Sequence, residues 1–209
     1  MTTSTKSGAT YFADLGAQIE ARWAAAHYAT AALPAIAEEA LRRRPPHEHA
    51  SPWELAKLGR DPDRLPPQQA SGFGQPPLAV YNTPRLLIEV LYWLDSTTSI
   101  HQHAFSGAFA VFEGSSVHTR YQFKPTQLVA DGFQLGRMTW TSSELLTRGA
   151  VHQITSGPGF IHSLFHLDHP SVSVVVRTHA DAAAPPQLDY LPPGLGVAPS
   201  FLDGRVERA

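Results

Sequence analysis

Apolar residues recur at helical spacing near the start of the chain, between Tyr11 and Arg44. This pattern predicts a helical hairpin, and Pro34 is well placed to open its second helix. A further short helix is predicted for Ser51–Leu58, because a serine side chain suits a helix N-cap. The apolar positions that define the first helix are Leu15, Ile19 and Trp23.

The pattern changes after a connection rich in Pro, Gln and Gly. From Leu78 to Thr178, short runs of Val, Phe, Tyr and Thr alternate with clusters of Gly, Pro, Asp and Ser. This rhythm is typical of an all-β sandwich or barrel. The predicted strands are Leu86–Leu94, Ser99–Phe105, Ala108–Phe112, Ser116–Phe123, Gln134–Trp140, Ala150–Ile154, Ile161–His166 and Ser171–Thr178.

The 209 residues therefore predict one domain with appendages. Residues 1–77 form a helical segment with its Pro-rich connection, and residues 78–180 form a β-barrel. Residues 181–209 are a Pro-rich tail that we expect to pack as an extended arm or to be partly disordered.

Composition narrows the class of function. Lys and Arg total 16 against 18 for Asp and Glu, so a net charge of −2 argues against a nucleic-acid partner. The apolar runs are too short to span a membrane, and the polar start does not resemble a secretory signal. We therefore predict a cytoplasmic protein without a membrane partner, either a monomer or a homodimer.

The chain has no cysteine and eleven histidines, so any transition-metal site would be rich in nitrogen ligands. His101 and His103 are two residues apart on a predicted strand, and such positions share one face of a sheet. Both imidazoles can therefore converge on one point inside a barrel. The alternative is an outward strand face, which carries histidines at no cost.

The residues around this pair resemble the first motif of the cupin superfamily, with His101-x-His103, Gly107 and Gly114 at the family's intervals. Gly159-Phe160-Ile161-His162 resembles its second motif. The resemblance covers about half of the chain. It implies a mainly β, cupin-type double-stranded β-helix (jelly-roll barrel) behind an N-terminal helical segment, with His101, His103 and His162 as metal ligands.

Gly107 stands where the cupin motif usually has a glutamate ligand. The resemblance then implies three neutral imidazoles, which leave the ion its full charge and open positions for a chelating substrate and O2. Glu113 is an alternative carboxylate, although it lies about 33 Å from His103 along an unbroken strand. Three-histidine cupins are typified by thiol dioxygenases of the cysteine dioxygenase type, which this chain resembles because it lacks the glutamate. In that family Fe(II) and O2 convert a thiol to a sulfinate.

Further residues are candidates for the cavity of such an enzyme. Arg85 is the candidate anchor for a substrate carboxylate, with a solvated loop arginine as the alternative. His166 shares a strand face with His162 and is either a catalytic partner or a satisfied core histidine. Arg177, also a catalytic candidate, ends an apolar run and needs an anion, either Asp131, Asp168 or the substrate. Tyr121 and Trp140 either line the pocket or pack in the core, whereas His118 and His152 look isolated.

Several functions remain open at this point. A three-histidine iron site also suits oxidation of a diketone, an enol or an aromatic acid, because an enolate is an anionic chelate. A redox-inert cupin that uses Zn, Ni or Mn for isomerisation or hydrolysis is a second class, since imidazole suits these metals as well as iron. A cupin that binds a small molecule without turnover is a third.

Overall fold

The computed structural model describes residues 8–69, 71–95, 97–179, 184–199 and 201. The first seven residues, and residues 180–183, 200 and 202–209 of the predicted barrel end and tail, lie outside this description. The described helices precede the strands, with 3₁₀ turns at Thr30–Ala32 and Pro62–Arg64. The helices are α1 (Gly8–Ala25), α2 (Leu33–Arg43), α3 (Pro46–His49) and α4 (Pro52–Leu58).

The strands confirm the predicted β-rich region, and two of them are much longer than predicted. They are β1 (Pro77–Asn82), β2 (Leu86–Trp93), β3 (Ile100–His103), β4 (Gly107–Glu113), β5 (Ser115–Ala130), β6 (Phe133–Thr147), β7 (Val151–Ile154), β8 (Gly157–His166), β9 (Ser171–Thr178), β10 (Asp189–Leu191) and β11 (Leu195–Val197). The long pair, β5 and β6, forms a continuous hairpin around Gly132, whose φ of 71° suits a glycine in the turn.

The strands form two antiparallel sheets. One sheet has five strands in the order β1-β2-β9-β4-β7, and the other has the order β10-β11-β6-β5-β8-β3. In the second sheet β10 also pairs with β3, which closes the ring of six strands. The fold is therefore mainly β, a double-stranded β-helix of the jelly-roll kind with an N-terminal helical segment.

The five-stranded sheet is buried on both faces, as the run of buried positions along β2 shows. Leu86, Ile88 and Val90 belong to the core that the sheet shares with the helices. Leu91 and Trp93, which alternate with them, belong to the core between the two sheets. This alternation follows from the two-residue period of a strand, and it separates the helical layer from the barrel interior.

The helical hairpin was predicted from the apolar spacing, and the structure confirms it. Leu15, Ile19 and Trp23 of α1 are buried against the sheet, and Ser51 Oγ caps α4 by accepting from the backbone N–H of Glu54. Gly16 allows α1 to approach β1 closely, because a Cβ atom there would lie 2.4 Å from the ring of Tyr81. The helices thus cover the outer face of the five-stranded sheet. No helix among the described residues is both long and apolar enough to cross a membrane.

Part of the predicted tail belongs to the barrel. Strand β11 pairs with β6, and β10 pairs with β3 so that Asp189 lies opposite His101. Tyr190 is buried and its hydroxyl donates to the side-chain oxygen of Gln102 at 2.6 Å. The described end of the chain therefore holds the strand that carries the histidine pair.

Candidate metal centre

Three buried histidines lie side by side on neighbouring strands. His101 and His103 are on β3, and His162 on β8 is the direct cross-strand partner of His101. One nitrogen from each ring lies within 4.8 Å of the other two, and Nε2 of His103 is 3.0 Å from Nε2 of His162. Nitrogen ligands about 2.1 Å from one ion at the tetrahedral angle would lie about 3.4 Å apart. The cluster thus has the dimensions of a metal site.

A hydrogen bond shows which nitrogen of His101 is available to bind a metal ion. Nδ1 of His101 lies 2.8 Å from the carbonyl oxygen of Ser99. A carbonyl oxygen only accepts, so Nδ1 of His101 carries the proton and Nε2 has a free lone pair. Orientation of a ligating imidazole by a backbone carbonyl is common in metal sites. His101 is therefore arranged to offer Nε2 to a cation.

His162 is arranged in the same way through a second histidine. Nε2 of His118 is 3.1 Å from Nδ1 of His162, and Nδ1 of His118 is 3.1 Å from Oε1 of Glu144. His118 is fully buried on β5, between β6 and β8. A carboxylate, a histidine and the candidate ligand therefore form one hydrogen-bonded series that leads from the protein surface to the cluster.

The electrostatic environment keeps the three imidazoles neutral. Burial lowers the pKa of His101, and burial lowers the pKa values of His103 and His162 well below their ordinary range. The positive charges of His101 and Arg177 further lower the pKa of His103, and those of His101, His103, His118 and Arg120 further lower the pKa of His162. For His101 the hydrogen bond to Ser99 and the charge of Asp189 act in the opposite direction, but burial has the larger effect. A neutral imidazole is the form that binds metal. Three neutral imidazoles suit zinc, copper, iron or nickel, so the donor set fits a transition metal.

The cluster forms one wall of a cavity between the two sheets. The cavity has an atom-free volume of about 440 Å³, including the part that opens to solvent. Its walls are mostly apolar, and Phe73 from the connection before β1 packs over the rings of His101 and His103. Other apolar lining residues are Phe105, from the turn between β3 and β4, and the strand residues Leu91, Trp93, Phe109, Leu164 and Val175.

Gly107 lies on β4 directly opposite Arg177 of β9. A Cβ atom at this position would lie 1.9 Å from the backbone oxygen of Val176 and 2.8 Å from the Cα of Arg177. No side chain fits there without moving a strand. The close packing of the two strands therefore excludes a carboxylate ligand at this position.

A buried ion pair faces the cluster across the cavity. Nε of Arg177 donates to Oε2 of Glu89 at 2.7 Å, and both residues line the cavity. The guanidinium also lies 4.7 Å from the ring centroid of Phe105. The anion that the sequence requires for Arg177 is therefore Glu89, and not Asp131 or Asp168. Sequence reasoning missed Glu89, although it is the one charged residue in the apolar strand β2.

His166 lies behind the cavity wall. Its ring stacks on Trp93 at 5.0 Å, and its Nδ1 is 2.9 Å from Ser116 Oγ and 2.8 Å from Ser171 Oγ. Its Nε2 is buried and has no hydrogen-bond partner among the described residues. Burial, with a smaller effect of His169, lowers the pKa of His166 to about 4. Of the two alternatives for His166, a catalytic partner or a core histidine, this position matches the core histidine more closely.

The other sequence candidates lie away from the described lining of the cavity. Arg85 is exposed in the turn before β2, and its guanidinium lies 4.3 Å from the ring centroid of Tyr28. Trp140 is 62% exposed on β6, and Tyr121 packs against the cluster around Tyr190. Glu113 lies 3.6 Å from Arg148 at the end of β4. Whether these side chains reach the cavity depends on the strand registers, which the sequence does not reveal.

His118 and His152 are not isolated, contrary to the interpretation of the sequence. With Glu144 they form a second group whose ligand atoms lie within 4.8 Å of one another. Nε2 of His152 is 3.7 Å from Oε1 of Glu144. His118 thus belongs both to this group and, through His162, to the first cluster.

Comparisons with known proteins give fold-level similarities. No family model matches the chain, and no curated protein matches its sequence. A cupin-2 domain protein from Shewanella frigidimarina shares 13% identity over 52% of this chain and 85% of its own, with a TM-score of 0.34. A double-stranded β-helix protein from Klebsiella pneumoniae shares 14% identity over 63% of this chain and 84% of its own, with a TM-score of 0.34.

A structure described as that of DMSP lyases shares 14% identity with this protein. It covers 77% of this chain and 79% of its own, with a TM-score of 0.38. All three TM-scores are too low to support an argument about function.

The close approach at Gly107 predicts a large effect of a small substitution. Gly107→Ala should lower the free energy of unfolding by about 1–3 kcal/mol or more, because the added methyl group must displace the backbone of β9. Urea unfolding would measure the change. Gly72→Ala is the matched control, since no atom lies within 4 Å of a Cβ there. Equal stability of the two variants would show that the sheet accommodates a side chain at position 107.

The low pKa of His166 predicts a pH-dependent stability. The unfolded chain binds a proton at this residue near pH 6.5, whereas the folded protein does so only near pH 4. Its contribution is therefore complete above pH 6.5 and is lost as the pH falls to about 4. In His166→Gln the free energy of unfolding should fall less steeply over this interval. Identical slopes in His166→Gln and the wild type would contradict the assignment.

Proposed function

We propose that the protein is a non-haem Fe(II)-dependent oxygenase, in which His101, His103 and His162 hold the ion and a small chelating substrate reacts with O2. The observation that carries the proposal is the convergence of three neutral imidazoles at the wall of a mostly apolar cavity, in a cluster that no carboxylate of the described residues joins. When bound, a ferrous ion would supply Lewis acidity toward an anionic substrate atom and redox chemistry with O2.

The residues of the chain provide the environment for this chemistry. The aromatic and aliphatic walls exclude water and hold a small molecule against the imidazoles. His101 and His162 keep fixed orientations through their Nδ1 hydrogen bonds. Position and exclusion of competing ligands are what a protein chiefly contributes to cofactor chemistry.

The cavity also bears on the class of substrate. The positive charge of Arg177 is balanced by Glu89 at 2.7 Å, so this arginine is not a free anchor for a distant carboxylate. Removing one partner from a buried pair is costly. A substrate whose negative charge lies on its chelating atoms suits this cavity better than an amino acid.

Two reactions satisfy this requirement. Thiol dioxygenation, which the sequence resemblance implies, adds both oxygen atoms of O2 to a thiolate and yields a sulfinate. Oxidation of a diketone, an enol or an aromatic acid is the second candidate, and the apolar walls together with the neutralised arginine favour it over an amino-acid thiol.

Oxygen uptake by Fe(II)-reconstituted protein tests the proposal. We expect consumption of O2 with a thiol that carries no other charged group (the uncharged-chain thiol), with a 1,3-diketone or with a hydroxylated aromatic acid. We expect much less consumption with cysteine. The control is His101→Ala, which should lose at least 90% of both the bound iron and the uptake, because a ligand is removed.

Three results would overturn this account. Iron retained at the wild-type level in His101→Ala would refute the ligand set. Stoichiometric iron without O2 uptake over the whole panel would refute the oxygenase and favour the redox-inert class that uses Zn, Ni or Mn. Faster uptake with cysteine than with the uncharged-chain thiol would contradict the argument from Arg177 and Glu89.

A further inference from the structure

We propose that Glu144 and His118 are positioning residues that set the protonation of His162, so that its Nε2 is free for a metal ion. The inference rests on the proposed metal site, though not on oxygen chemistry. It gives a role to a carboxylate and a histidine on strands that supply no proposed ligand.

Strand pairing brings the three residues into one row. His118 on β5 lies opposite Glu144 on β6 and opposite Leu164 on β8, two residues beyond His162. His118 is fully buried, whereas the Glu144 side chain is 48% exposed. The row therefore runs from solvent, through the hairpin strand β5, to the buried cluster.

The acceptor at the outer end fixes the direction of every hydrogen bond in the row. A carboxylate only accepts, so Nδ1 of His118 donates to Glu144 across 3.1 Å. In a neutral ring, Nε2 of His118 is then the acceptor, and it receives the proton of His162 Nδ1 across 3.1 Å. His162 therefore has a proton on Nδ1 and a lone pair on Nε2, the atom that lies 3.0 Å from His103.

The reverse arrangement is incompatible with metal binding by His162. If His118 carried its proton on Nε2, it would donate to Nδ1 of His162, and a neutral His162 would carry its own proton on Nε2. Nε2 would then have no lone pair for a cation. The carboxylate of Glu144 opposes this tautomer, because it would face the bare Nδ1 of His118.

His152 provides a contrast within the same group. Its Nε2 is 3.7 Å from Oε1 of Glu144, and its ring centroid is 5.0 Å from that of His118. The row from Glu144 to His162 does not pass through it. A second cation bound by His118, Glu144 and His152 would use the same atoms differently, because His118 Nδ1 would then bind the ion and Nε2 would carry the proton.

Zn²⁺ affinity, measured by competition with a chromophoric chelator, tests the role of the row. Glu144→Ala should weaken binding about 10–100-fold, the range typical of such outer partners. Glu144→Gln should restore part of the loss, because its amide oxygen can still accept from His118. His152→Ala, the control, should bind one ion per chain with wild-type affinity.

A second readout reports the protons directly. Long-range ¹H–¹⁵N spectra of the metal-free protein distinguish the two tautomers of a neutral imidazole. We expect Nδ1–H in both His118 and His162 of the wild type, and a shift of His162 toward Nε2–H in Glu144→Ala. A purely structural role of Glu144 would not move this equilibrium.

The outcomes separate the two proposals. Unchanged Zn²⁺ affinity and an unchanged His162 tautomer in Glu144→Ala would overturn the role of the row alone. A second ion in the wild type that is lost in both Glu144→Ala and His152→Ala would also overturn it, in favour of a second cation site. Failure of the wild type to bind Zn²⁺, or undiminished binding by His101→Ala, would refute the metal centre and the row with it.

Discussion

Three imidazoles packed together in an apolar interior have six ring nitrogens, and each buried polar nitrogen is costly without a partner. The protein meets this constraint by turning Nδ1 of His101 and His162 toward acceptors behind them, Ser99 and His118. With its lone pair on Nε2, His162 accepts from Nε2–H of His103 across 3.0 Å, and Nδ1 of His103 has no partner among the described residues. Protein atoms alone thus leave this buried nitrogen without a partner, and a cation at the cluster would take the place of the proton between His103 and His162.

The fold supplies what this cluster needs. A five-stranded sheet buried on both faces allows the helices to cover one side while the other faces the histidines. The bare Gly107 lets β4 approach β9, and the pair of Arg177 and Glu89 places two opposite charges inside without a net charge. The cavity thus remains mostly apolar and electrically balanced around three neutral imidazoles, an environment that suits the proposed anionic chelate.

Much of the cluster is predictable because its signals are local. Two histidines at i and i+2 share a strand face whatever the topology, and helical spacing identifies α1 from a few positions. Glu89 could also have been predicted from the sequence, because it is the lone charge in an apolar strand. The placement of Arg85 and Trp140 could not, because the side that a strand end presents depends on its partner strands.

The row from Glu144 to His162 is harder still to predict from the sequence. His118 and Glu144 are brought together by the register of a long hairpin, and irregularities in that register begin just beyond them, between Arg120 and Tyr121. A shift of one residue would send either side chain to the other face. Short strands such as β10 and β11 likewise have too few residues to show an alternating pattern. They are defined by pairing with distant strands and not by their own sequence.

We expect one divalent ion to bind where the three imidazoles meet. A crystal structure of the Fe(II)- or Zn²⁺-loaded protein, with anomalous scattering recorded at the metal edge, would locate this ion. It should show one strong anomalous peak per chain, about 2.0–2.2 Å from a ring nitrogen of each of His101, His103 and His162. No peak at the cluster, or a peak among His118, Glu144 and His152 instead, would contradict this expectation.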